Sequence, residues 1–180
     1  MSAYDLDSSS NARKSNNIET NEQRREGHEE YGGNIQVTDL GQLESWVRGK
    51  PEFKYFVYGS TGVLLREFPF GKLRRSHFNG QWVNLHDLIG YWNTSNWGNI
   101  TYERWIEEDG GTSQALTMGI SYTANGVTNT TTINTPAKDR DQNMGTANIQ
   151  FTDPIYEIPL QDLNGAIYPY YYMNMQREMY

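Results

Sequence analysis

Asp139, Asp141 and Asn143 stand at alternate positions in the stretch Lys138-Asp139-Arg140-Asp141-Gln142-Asn143-Met144-Gly145. Hard oxygen donors so spaced are what a calcium ion takes, because it gathers six to eight oxygens at relaxed geometry. Counted from Asp139, the stretch is not an EF-hand loop. That loop needs Gly at its sixth position and Glu at its twelfth, where this chain has Met144 and Gln150. The run Glu107-Glu108-Asp109 before Gly110-Gly111 offers further carboxylates, with Asp109 the candidate for an additional ligand. The sequence therefore leaves two readings open at 139–143: a calcium site, or an Asx-type polar turn.

Contact chemistry is the second possibility. In Tyr91-Trp92-Asn93-Thr94-Ser95-Asn96-Trp97-Gly98-Asn99, the flat rings of Trp92 and Trp97 neighbour the amides of Asn93 and Asn96. A loop of that kind suits a small ligand or a glycan, unless the two rings simply pin a long connection to the core. With 13 tyrosines and five tryptophans, the chain is rich in rings that carry a polar tip. Tyr168, Tyr170, Tyr171 and Tyr172 crowd its last expected strand, where Pro169 marks an edge. Alternation puts Tyr170 and Tyr172 on one face and Tyr171 on the other. These are candidate contacts for a sugar, a peptide or a protein.

Catalytic patterns are weaker. Ser76-His77 and His86-Asp87 supply the residue types of a hydrolytic triad, without a nucleophile elbow. Glu103 and Glu107 share a strand face, but four positions along a strand separate them by ~13 Å, beyond the usual spacing of an acid/base pair. Phosphate loop, dinucleotide fingerprint and paired-histidine metal motif are all missing from the sequence.

The elements that would position these residues can be read from periodicity. Residues 1–33 are poor in apolar side chains and include the charge-mixed EQRREGHEE, which predicts a disordered tail ending at Gly32-Gly33. A helix is expected at about 39–48, with Asp39 capping, Gln42 closing the box, Leu40, Leu43, Trp46 and Val47 on one face, and Gly49 and Pro51 ending it. Residues 55–58 and 63–65 read as a hairpin around Gly59-Ser60-Thr61-Gly62, with Pro69 marking an edge. Lys72 to Phe78 reads as a strand, and Asn79-Gly80 as a turn. Asn84 then caps a second expected helix carrying Leu85, Leu88, Ile89 and Trp92 at i, i+3, i+4 and i+7.

From Asn99 the period becomes two. Ile100, Tyr102, Arg104 and Ile106 fall on one face and Thr101, Glu103, Trp105 and Glu107 on the other. Leu116, Met118, Ile120 and Tyr122 alternate before Asn125-Gly126, and Val127, Asn129, Thr131 and Ile133 after it, which predicts a hairpin. Further strands are expected at 147–152, 155–160 and 167–173. About eight short strands at such spacing indicate a single all-β domain over 34–180, an antiparallel β-sandwich, C2-like or immunoglobulin-like, with one or two peripheral helices.

The element Asp139-Arg140-Asp141, Gly145 and the strand Ala147 to Phe151 resembles the Asp-x-Asp loop of C2-type sandwiches. The resemblance covers about 15 residues and implies a calcium ion shared with aspartates of another loop, for which Asp109 is the candidate.

Composition limits the partners. A formal net charge of −7 and three histidines argue against a nucleic-acid ligand, which needs a basic footprint; Lys72, Arg74, Arg75 and His77 are a small local exception. The absence of cysteine excludes disulfides, thiolate metal sites and cysteine nucleophiles. No run approaches the ~20 apolar residues of a membrane span, and no secretory signal stands in this numbering, so a soluble protein is expected. Asn93, Asn99 and Asn129 head glycosylation triplets that matter only on a secretory route. The expected function is a non-enzymatic module that presents an aromatic surface to a glycan, protein or membrane ligand, with calcium or with no cofactor. Alternatives are an assembly protein that uses an open β-edge to oligomerise, a small hydrolase, and a membrane-acting toxin.

Overall fold

The run Ile100–Glu107 alternates two sets of residues, and both sets are buried. A strand hidden on both faces must lie inside a stack of more than two layers, and that is the architecture. The computed structural model describes residues 24–37, 52–70, 80–124, 126–153, 157–159 and 173–179. Along them run β1 (Glu29–Val37), β2 (Phe53–Tyr58), β3 (Leu64–Phe70), β4 (Trp82–Tyr91), the single turn α1 (Thr94–Trp97), β5 (Ile100–Glu107), β6 (Ser113–Ala124), β7 (Val127–Lys138), β8 (Gln142–Gln150), β9 (Glu157–Pro159) and β10 (Met173–Met179). All pairings are antiparallel. They form one sheet of order β4-β1-β10-β9, a second of order β3-β2-β5-β8, and the two-stranded ribbon β6-β7.

The fold is therefore all-β and sandwich-like, with the ribbon as a third layer. One face of β2 and β5 sends Phe53, Tyr55, Val57 and Trp105 towards the first sheet, where they pack with Ile35, Val37 and Ile89. Tyr55 stacks on Trp105 at 4.3 Å between ring centroids. The opposite face sends Phe56, Tyr58, Ile100, Tyr102 and Ile106 against Met118, Ile120 and Ile133 of the ribbon. Each buried aromatic side chain removes ~150–250 Å² from water, so the two cores hold the three layers together.

Arg104, buried within the ribbon-facing layer, ties the ribbon down. Its Nη1 donates to Leu116 O at 2.9 Å and to Thr135 Oγ1 at 3.2 Å, and Tyr58 Oη donates to the same Thr135 hydroxyl at 2.9 Å. A charged side chain tolerates such burial only when its donors are used.

Two expectations change. The helix expected from Asn84 is instead the strand β4, whose pairing with β1 carries two register irregularities, at Glu30/Tyr31 and at Gly32/Asn34. Bulges insert extra residues, so apolar positions lose strict alternation and imitate a helical period. The tail boundary at Gly32-Gly33 also moves: Arg24 is buried and β1 begins at Glu29. The hairpins at 53–70 and 113–138 and the strand at 100–107 stand where periodicity places them. The helix at 39–48, the strand at 72–78 and Tyr168 to Tyr172 lie outside the described residues, and the expected strand at 167–173 reaches them only at Met173. Among the described residues no helix is long and apolar enough to cross a membrane.

Candidate functional site

The acidic stretch folds as a clamp between two turns. Asp141 Oδ1 accepts from the backbone N–H of Asp109 (2.9 Å) and Gly110 (3.1 Å), and its Oδ2 accepts from Lys138 N (2.7 Å). Asp139 Oδ1 accepts from Thr112 N at 2.9 Å. Gly111, at φ 112°, lies so close that a Cβ there would collide with the Asp139 carboxylate. The structure thus brings Asp139 and Asp141 to the Asp109 loop, but it is the backbone of that loop that meets them. Asn143 points elsewhere, accepting from Arg104 Nε at 3.3 Å. No group of three or more His, Asp or Glu among the described residues is placed to hold a metal. Both aspartates thus act as acceptors for backbone N–H groups, those of the 109–112 loop and of Lys138, and not for the N–H two residues on that defines an Asx turn.

The Trp loop is also structural. Trp92 is 0% exposed and Trp97 8%; Trp92 Nε1 donates to Gly98 O at 3.0 Å and its ring meets Trp97 and Phe151. Asn93 spends its side chain capping α1 by accepting from Ser95 N, while Asn96 is exposed. The two rings are thus withheld from any ligand, in contrast to the surface contact expected of them. They serve as the anchor of the loop because an indole buried with its N–H satisfied is good core.

Residues 24–30 strap this loop from outside. Arg24 Nε donates to Glu30 Oε1 at 2.8 Å, its Nη1 to Asp153 O at 2.6 Å and Gln150 O at 3.3 Å, and the guanidinium lies 5.3 Å over the Trp92 ring. Gly27 N donates to Trp92 O and Trp92 N to His28 O. Glu26 accepts from the backbone N–H and the hydroxyl of Thr94.

Exposed aromatic chemistry gathers instead on the outer face of the β1–β4 pair. The Tyr31 and His86 rings stack at 4.5 Å with planes 6° apart. Glu29 bridges two phenols, accepting from Tyr31 Oη at 2.7 Å and from Tyr91 Oη at 3.0 Å. Tyr91 is 55% exposed and Trp82, opposite Gln36 on the same pair of strands, 40%. These hydrogen bonds hold the Glu29 carboxyl below its ordinary value and raise the Tyr91 phenol above its own. At the adjacent bulge, burial raises Asp87, against the charges of Arg66 and His86.

His86 itself has φ 41°, a left-handed conformation that costs a non-glycine residue energy and recurs at functional sites. The exposed His86 belongs to an aromatic stack on an open sheet, and Ser76 and His77 lie outside the described residues. Sequence periodicity missed this site because Glu29 and Tyr31 fall in the polar segment read as tail. The only signal was negative: a tyrosine among charges, with no apolar neighbour to explain it.

Comparison with protein-family models, with curated proteins and with solved structures finds no match for this chain.

Proposed function

We propose that this chain is a non-enzymatic binding module whose ligand surface is the outer face of β1–β4, and that the ligand is a neutral oligosaccharide. The observation that carries the reading is the Glu29 carboxylate held between the Tyr31 and Tyr91 hydroxyls beside the Tyr31–His86 stack. Polar aliphatic residues would suffice on a merely solvated sheet face. Here rings with amphipathic tips are fixed in place before any ligand arrives, which lowers the ordering cost of binding. A sugar presents apolar C–H faces to rings and hydroxyls to a carboxylate, and that combination matches the residues present. The net charge of −7 favours a neutral ligand over an acidic one.

The test is titration calorimetry against a panel of neutral α- and β-linked oligosaccharides, repeated with Tyr91→Ala and Glu29→Gln. Binding by the wild type, weakened at least about tenfold (about 1.4 kcal/mol) in both variants while circular dichroism shows them folded, supports the reading. Absence of binding across the panel, or equal affinity in the variants, removes it.

A further inference from the structure

Among the described residues, most strand edges carry the devices that keep an edge from pairing with another chain, and β6 is a long edge that does not. β3 closes one side of the second sheet with Arg66, Glu67 and Pro69, and β4 closes one side of the first with His86, Asp87 and two register irregularities. Charges, prolines and bulges are how natural sheets blunt their edges. β8, on the other side of the second sheet, is buried from Met144 to Ala147. β6 has none of these protections. It runs 12 residues in unbroken register with β7, and from Ser113 to Ala137 the chain contains no charged side chain and no histidine.

Register shows which backbone groups face outward. The two-residue turn makes Ala124 and Val127 the hydrogen-bonded closing pair. Alternation from there leaves the N–H and C=O of Ala115, Thr117, Gly119 and Ser121 directed away from β7. Among the described residues no strand pairs with that edge. The β7 edge differs: the β2–β3 turn abuts it, with Thr131 Oγ1 donating to Thr61 O and Gly62 close to Thr132 O, and Pro136 contributes no donor.

We propose that a second copy of this chain adds to the open edge, β6 pairing antiparallel with the partner's β6 about Gly119, so that the two ribbons become one four-stranded sheet of order β7-β6-β6-β7. Three observations select a like copy. Two net charges of −7 repel over most of the surface, and the charge-free ribbon is where two copies meet without like charges opposed. A two-fold contact requires one edge to be complementary to itself. Centred on Gly119, the pairing sets Thr117 against the partner's Ser121 and Ala115 against the partner's Thr123, all small and neutral. Finally, Gly119 has nothing within 4 Å of where a Cβ would stand, so packing within one chain does not ask for glycine there. A glycine inside a strand can mark a bulge, a tight bend or the close approach of a ligand or another backbone, and the unbroken β6–β7 register leaves no bulge here.

Sedimentation velocity across a concentration series tests this. A species of twice the 20.8 kDa chain mass is expected for the wild type. Thr117→Lys combined with Ser121→Lys, two exposed positions, should give monomer with unchanged near-ultraviolet circular dichroism. A wild type monomeric at every concentration, or a folded double variant that still dimerises, overturns the proposal. Should the variant fail to fold, amide exchange on the wild type decides: the Thr117, Gly119 and Ser121 amides should slow at least about tenfold as concentration rises into the dimer range, and exchange independent of concentration overturns the pairing.

Discussion

Glu29 shows how one side chain links surface chemistry to pH. Its carboxylate accepts from two phenols, and these bonds favour the charged form, so its folded value lies below the unfolded one of about 4.3. A group shifted down adds stability that is complete above its unfolded value and is lost as pH falls through its folded value. Tyr91 is shifted the other way by the same bond and by the nearby charge. Its contribution is complete below about pH 10, the unfolded value, and vanishes as pH rises through the folded one, when phenolate would face carboxylate. Tyr91→Phe should therefore ionise one fewer tyrosine in the alkaline range, and the missing step should lie above the ordinary phenol value. Difference titration of tyrosinate absorbance reads this directly; a missing step at or below the ordinary value would contradict the Glu29–Tyr91 bond. The same substitution should weaken acid unfolding's dependence on Glu29, since one of its two donors is gone.

Between elements, the Asp139–Asp141 clamp joins the turn after β5 to the turn after β7, and its behaviour follows from who uses the oxygens. Asp141 satisfies three backbone N–H groups, and leaving buried or half-buried donors without acceptors costs about 1–3 kcal/mol in total stability. Asp141→Ala should lower the melting temperature by several degrees, while millimolar calcium and a chelator should leave the wild-type value equal; a calcium-dependent rise lost in Asp141→Asn would instead place an ion there. How much of this was legible in the sequence differs from element to element. β6, β7 and their Asn125-Gly126 turn were legible because one face of the ribbon is solvated, so alternation is clean. β5 was legible as a strand, but not as a doubly buried one, since each face carries charge, Arg104 on one and Glu103 and Glu107 on the other, and burial of charge depends on partners distant in sequence. β4 was not legible, because its bulges at Ile89 and Leu85-His86 break the period of two. Of the oxygens at 139–143, those of Asp139 and Asp141 serve as backbone acceptors, which depended on where the 109–112 loop would fold, while Asn143 turns to Arg104.

At the scale of the whole molecule, the segment 24–30 closes the open end of the sandwich, and Arg24 is the residue on which that closure turns. Its side chain is 0% exposed, as is that of Glu30, and it spans three things no single local element contains: the carboxylate of β1, the carbonyls of Gln150 at the end of β8 and of Asp153 beyond it, and the Trp92 ring after β4. Breaking a buried ion pair by removing one partner is costly, about 3–5 kcal/mol, because the other charge is left in a dry site. Arg24→Ala should therefore shift the urea midpoint strongly downward with little change in slope, as expected for lost stability without a changed denatured state. Arg24→Lys should rescue little of it. One ammonium cannot reproduce a planar fork that reaches a carboxylate and two carbonyls while standing over an indole ring. If Lys restored the midpoint, charge alone would hold the strap and the planar contacts would be incidental. If Ala cost less than about 1 kcal/mol, a value typical of exposed pairs, the strap would be a surface attachment, and the sandwich would owe its closure to the Trp92–Trp97–Phe151 packing alone.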